Sequence, residues 1–224
     1  MIDMFTVILD NGHGKNTPGK CSEPVDFDFD KDFTSIEGGR FREYRFNRRV
    51  VKAAIPKLKA LGYNVIELVP EETDISLSAR VNRINLYVRK YGAGNCIMVS
   101  THANAAGHGG WLNARGWSVW TTRGQNNSDK LADCFYTVAK EIISKDKAYT
   151  ASKSIRTDYS DGDADWESNF YIIKGANCPA VLIENMFQDN KEDVKYLESR
   201  NGFDKIVQVL VDGINMYATK YKKT

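Results

Sequence analysis

Residues 63–100 read YNVIELVPEETDISLSARVNRINLYVRKYGAGNCIMVS, and the fold follows from the way this stretch is punctuated. Tyr63 to Val69 is a short apolar run with the composition of a buried strand. Leu77, Val81, Ile84, Val88 and Tyr91 then recur at helical spacing, and Gly92-Ala93-Gly94-Asn95 ends the helix. Cys96 to Ser100 is a second buried-type strand. A strand, a helix and a strand in this order argue for parallel strands of one sheet, because a helix-length connection suits a parallel crossover and not a hairpin.

The same alternation extends in both directions. Upstream, Phe5 to Leu9 is a strand that stops at Asp10-Asn11-Gly12. Phe46, Val50, Ala54, Leu58 and Leu61 mark an amphipathic helix closed by Gly62. Pro56 lies inside that helix and predicts a kink or a break, since it has no N–H to donate. Downstream, Trp117 to Thr122 reads as a strand, and Ser128 as the N-cap of a helix carrying Leu131, Phe135, Val138 and Ile142. Tyr171 to Ile173 and Ala180 to Ile183 are the last two strand candidates. A final helix opens at Asn201 and presents Phe203, Ile206, Val207, Leu210, Ile214, Tyr217 and Tyr221 as one stripe. No Pro-, Gly- or Ser-rich linker divides the chain. The expected fold class is a single α/β domain over residues 1–224, with a mostly parallel twisted sheet of about six strands and helices on both faces.

Composition narrows the function. The 224 residues are 42% hydrophobic and 27% charged with a formal net charge of +2, enough for one core and too balanced for a nucleic-acid binder driven by charge. No run approaches the length of a membrane span, which argues against membrane insertion. The start MIDMFTVILDNGHG lacks the charged, apolar, small-residue order of a signal peptide. Cys21, Cys96, Cys134 and Cys178 form no C-x-x-C pair and read as structural thiols. Neither G-x-G-x-x-G nor G-x-x-x-x-G-K-[ST] occurs, which disfavours nucleotide binding.

In an open α/β sheet, ligands bind beyond the carboxyl ends of the strands. His13 follows the first strand, His102 ends the third, and Glu184 stands at the end of Ala180-Val181-Leu182-Ile183. Two neutral imidazoles and a carboxylate can hold Zn²⁺ and leave a coordination position open for chemistry. Glu43, at the start of the first long helix, offers that carboxylate, with helix capping as its alternative role. Glu184 at the rim of the sheet suits acid–base work.

These motifs are carried by Asp10-Asn11-Gly12-His13-Gly14, Glu43 with Asn47, Ser100-Thr101-His102-Ala103-Asn104-Ala105, and Pro179 to Glu184. Together and in this order, the chain resembles the zinc-dependent N-acetylmuramoyl-L-alanine amidases of the amidase 3 family. The resemblance implies zinc ligands at His13, Glu43 and His102, a catalytic glutamate at Glu184, and peptidoglycan as the partner of a monomeric, endolysin-like hydrolase working at the bacterial cell wall. The bond it implies is the amide between the lactyl group of N-acetylmuramic acid and L-alanine. Leu77-Ser78-Ala79-Arg80, Asp189-Asn190 and Asp193 add weaker agreement.

Three features depart from the family pattern. Asn11 replaces the usual proline, Asn185-Met186 follows the catalytic glutamate, and about 30 residues separate His13 from Glu43. The excess is expected to be an insertion near residues 20–40 over the site mouth, and it leaves Glu37 as a substitute for Glu43. Within it, Asp26, Asp28, Asp30 and Glu37 match EF-hand positions, but Lys31 stands where that loop needs glycine, so a solvated acidic loop is expected. Asp158 to Asp165 fits a calcium loop less well still. Trp111 is expected to be exposed near the site, Trp120 to pack, and His108 to have no metal role. A zinc peptidase or carboxypeptidase acting on the stem peptide, or a wall-binding module without catalysis, are the alternative functions. Delivery as a phage lysin or as a cellular autolysin is left open.

Overall fold

The computed structural model describes residues 4–107, 109–149 and 154–221. His108 and the end of the lysine-rich tail lie outside them. The main sheet contains β1 (Thr6–Asn11), β5 (Asn64–Glu67), β6 (Cys96–Asn104), β7 (Ser118–Thr121), β8 (Trp166–Glu167) and β9 (Ala180–Phe187), and its strand order is β5-β1-β6-β9-β7-β8. The first four in that order are parallel, while β7 runs antiparallel to β9. Between β1 and the first long helix, α1 (Glu43–Ala60), the chain forms a separate antiparallel sheet of β2 (Cys21–Pro24), β3 (Ile36–Glu37) and β4 (Arg40–Arg42).

Alternation along the central strands feeds two cores. Val7, Leu9, Ile97, Val99, Val181 and Ile183 pack on one side with Phe46 and Val50 of α1. That side also takes α3 (Asn127–Ile142), α5 (Lys191–Glu198) and α6 (Arg200–Tyr221). Ile8, Met98 and Leu182 point the other way, against Ile84 and Val88 of α2 (Leu77–Tyr91) and Ile172 of α4 (Tyr171–Lys174). Both faces are covered, so these strands read as continuous apolar runs. From β1 the chain goes out to β5 and returns to pair β6 on the other side of β1. The carboxyl ends of β1 and β6 therefore flank a switch point, where α/β sheets open a crevice.

Several local expectations change. Tyr171–Ile173 is a single helical turn and not a strand. Three apolar residues do not reveal a period, and the flanks of β9 are already taken by β6 and β7. The turn packs tightly on α2, where a Cβ at Gly175 would sit 2.8 Å from Val81 Cγ1. The sixth strand is instead the two-residue β8. Helix α1 continues through Pro56 to Ala60 without the expected break. Pro56 and Lys52, whose carbonyl loses its partner, are both on the exposed face, where water can serve that oxygen. Asn126 caps α3, in a reciprocal box with Asp129, and Ser128 Oγ accepts from Ala180 N at 3.1 Å. Helix α5, before the final helix, had no separate sequence signal because its short amphipathic stripe runs into that of α6.

Candidate metal and catalytic site

Residues 10–14 carry the chain out of β1 in a turn. His13 leaves β1 at φ 63°, a left-handed conformation that is costly for a residue with a Cβ. Its carbonyl is gripped by Arg48 Nη1 at 2.9 Å and Arg80 Nη2 at 3.2 Å. Gly12 is required by packing: a Cβ there would lie 2.1 Å from His102 Cε1. Gly14 is required on the other side, where a Cβ would meet Asp74 N at 2.0 Å. Asn47 of α1 donates to the Gly12 carbonyl at 3.1 Å.

Arg80 is buried and joins the parts of this turn. It donates to Asp10 Oδ1 at 2.6 Å and Asp74 Oδ1 at 2.8 Å. Removing it would take a donor from two carboxylates and from the carbonyls of Asn11, His13 and Ile75, so Arg80→Met is expected to destabilise the protein by about 3–5 kcal/mol in urea unfolding. A loss under about 1 kcal/mol would place this pair with exposed ones and refute its anchoring role.

His13, Glu43 and His102 converge. Glu43 Oε1 lies 3.4 Å from His13 Nε2 and 3.0 Å from His102 Nδ1, and the two rings stand edge to face with centroids 4.9 Å apart. Ligand atoms of all three lie within 4.8 Å of one another, a group that could hold a metal ion. Glu43 does not cap its own helix. Its Oε1 also accepts from Ala103 N at 3.1 Å, and its Oε2 is buried with no partner. Burial opposes ionisation of Glu43, but hydrogen bonds from His102 and His13 outweigh it and hold the carboxyl well below its usual range. Burial likewise opposes charge on His102, and Glu43 reverses this and raises its pKa. A site that favours a shared proton between two imidazoles and a carboxylate offers the same lone pairs to a cation.

The second nitrogen of His102 is also held. Nε2 faces Ser100 Oγ at 3.1 Å, and Ser100 donates to Asp10 Oδ2 at 2.6 Å, so Ser100 is set to accept from Nε2–H. That arrangement leaves Nδ1 toward Glu43, the kind of outer support that orients a ligating imidazole.

Glu184 lies within β9, which continues to Phe187, and in the ladder it pairs with His102 on one side and Ser118 on the other. The register shifts just beyond His102, and Met186 turns to φ 64°. Asn185 points to the other face of the strand, where its amide nitrogen donates to Thr101 Oγ1 at 2.7 Å and to the His102 carbonyl at 3.0 Å. Burial raises the Glu184 pKa to about 8; His102 and Lys20 oppose the rise and Glu43 adds to it. Its Oε2 is buried with no partner. In metal-free protein the folded chain therefore keeps a proton that the unfolded chain releases above about 4.5. Stability is expected to fall as pH rises from about 4.5 to about 8, by roughly 4 kcal/mol, and Glu184→Gln should flatten that slope in urea titrations with chelator present. An unchanged slope in the variant would assign it to other groups.

Other expected positions land elsewhere. Glu37 accepts from Tyr44 OH at 2.7 Å and faces Lys15, outside the group of three. Asp26, Asp28, Asp30 and Asp32 are exposed, as expected of a solvated acidic loop, with Asp26 paired to Lys191 and Asp30 to Arg200 at the surface. Trp111 is half-buried against the main core and not exposed as expected. Asp189 accepts from Ala106 N and Gly107 N, and Asp193 from Gly116 N, Phe187 N and Tyr149 OH, which pins the loops beside β6 and β9. Sequence reading missed Arg48, whose only signal is a basic residue on the buried side of α1, and Lys20, which has none. The ends of the 20–42 excursion meet at the site, where Glu43 N donates to Lys20 O at 3.2 Å.

Residues 7–216 match the family model described as N-acetylmuramoyl-L-alanine amidase. The chain belongs to this amidase family. Among curated members of similar sequence, it is 26% identical over 213 residues to the amidase LytC of Bacillus subtilis, covering 95% of this chain and 35% of that protein. It is 23% identical over 241 residues to the amidase AmiC of Neisseria meningitidis, covering 94% and 52%. The chain thus spans between a third and about half of the length of these amidases. The crystal structure of an amidase from Clostridium difficile 630 shares the fold, with a TM-score of 0.72 at 23% identity over 97% of this chain and 98% of that one.

Proposed function

We propose that residues 1–224 are a catalytic domain that hydrolyses the amide between N-acetylmuramic acid and L-alanine in peptidoglycan, acting as a monomer at the bacterial cell wall. His13, Glu43 and His102 hold zinc in this reading, and Glu184 is the acid–base residue. The observation that carries it is the pairing of His102 with Glu184 across the β6–β9 ladder, which sets an unpartnered carboxylate oxygen beside the three converging ligands. The donor set fits zinc: two imidazole nitrogens, one carboxylate with a buried spare oxygen, and no thiolate. Bound there, zinc supplies positive charge that polarises the scissile carbonyl and brings the pKa of the attacking water to roughly 7.

The chain's own groups do the rest. Glu184 accepts the proton of the attacking water and returns it to the departing amine of L-alanine. A cavity of about 250 Å³ beside His13 and His102, lined also by Asp74, Ile75, Leu77 and Ile172, gives the substrate a place next to the ligands. No helix among the described residues is long and apolar enough to cross a membrane. Mass spectrometry of a digest of a defined muropeptide tests the reading, together with metal analysis of the purified protein. Release of intact stem peptide with a free L-alanine amine and about one zinc per chain is expected. Cleavage within the stem would establish a peptidase, and binding without any released amine a non-catalytic wall module.

A further inference from the structure

A second group of acids stands apart from the cleft. Thr121 ends β7 at the end of the strand opposite Ser118, the residue that faces Glu184. Beside Thr121, Asp129 from the first turn of α3 meets Asp163 and Asp165 from the loop that leads into β8. Carboxylate oxygens of all three lie within 4.8 Å of one another. The acidic segment 158–165 was expected to be solvated, yet Asp165 is only 2% exposed and Asp129 only 6%.

Hydrogen bonds account for part of this group. Asp165 Oδ2 accepts from Thr121 Oγ1, Asp129 Oδ2 from Asn126 N, and Asp163 Oδ2 from Gln125 Nε2 at 2.6 Å. They leave Asp165 Oδ1 and Asp163 Oδ1 buried with no donor from outside the group, and Asp163 and Asp165 can hydrogen-bond to each other only while one of them keeps a proton. Among the described residues, no lysine or arginine forms a salt bridge with any of the three. Three carboxylates this close repel when ionised, and buried oxygens without donors are costly. A cation satisfies both requirements.

We propose that Asp129, Asp163 and Asp165 bind a hard divalent cation, calcium or magnesium, at a structural site separate from His13, Glu43 and His102. The donors are all oxygen, the preference of these ions, whereas zinc would favour the imidazole set. The ion would tie the loop before β8 to the start of α3, and so fasten the two-residue strand at the edge of the sheet.

Isothermal titration of the zinc-loaded full chain with calcium and, separately, with magnesium tests this. One ion per chain is expected for at least one of the two metals, and the comparison identifies which. Asp165→Asn should abolish binding. Asp163→Asn, at a half-buried position, should weaken it about tenfold or more. With the cation at about a hundredfold excess over Kd, Tm should rise by roughly 5 °C in the native chain and not in Asp165→Asn. If neither metal binds at millimolar concentration, the acids share protons instead and the proposal fails. It fails equally if Asp163→Asn folds with its zinc and binds calcium and magnesium as the native chain does.

Discussion

Glu184→Gln is expected to retain zinc while kcat on purified peptidoglycan falls by about 10²–10⁴, the range for loss of a positioned proton-transfer group. Glutamine preserves the shape of the side chain and its place in the β6–β9 ladder opposite His102. What it lacks is a site for the proton. Zinc content, measured on the same preparation, separates this outcome from a collapsed site. Glu184→Asp should recover part of the rate, since it keeps the carboxylate but withdraws it by about one methylene. Activity within about tenfold of the native chain in Glu184→Gln would remove Glu184 from the acid–base role.

Gly12→Ala should disable the site without touching any proposed ligand. The added Cβ would fall 2.1–2.5 Å from Cε1, Nε2 and Nδ1 of His102, so the imidazole has to leave the position where it meets both Glu43 and Ser100. Zinc affinity is expected to drop by about 100-fold, at the upper end for groups that orient a ligand, and activity should drop with it. The fold itself should lose only about 1–3 kcal/mol, the usual cost of one methyl forced into a packed region. Native zinc affinity in Gly12→Ala would show that His102 does not need this position to bind.

These expectations rest on features that sequence displays unevenly. The central strands were legible because both of their faces are buried: Val7, Ile8 and Leu9 form an unbroken apolar run, and the polar residues that follow mark the exit. His13 and His102 were legible for the same reason, since each stands where such a run ends. Glu43 was harder, because a glutamate opening a helix serves as well for capping; only its turn toward the two imidazoles distinguishes the roles. Tyr171–Ile173 misled because β-branched residues also suit a single helical turn packed on α2. Sequence marked Asp163 and Asp165 only as part of the acidic segment 158–165 and gave no sign that Asp129 joins them. Asp129 stands 34 or more residues from the other two, and the fold alone makes them neighbours.

The hydrogen bond between Glu43 N and Lys20 O closes the neck of the 20–42 excursion on itself. Such a closed neck makes the excursion a cassette: it could be exchanged for a shorter or longer one while the first helix still begins at the same point in space. Selection can then remodel the excursion without moving the point at which Glu43 turns toward His13 and His102.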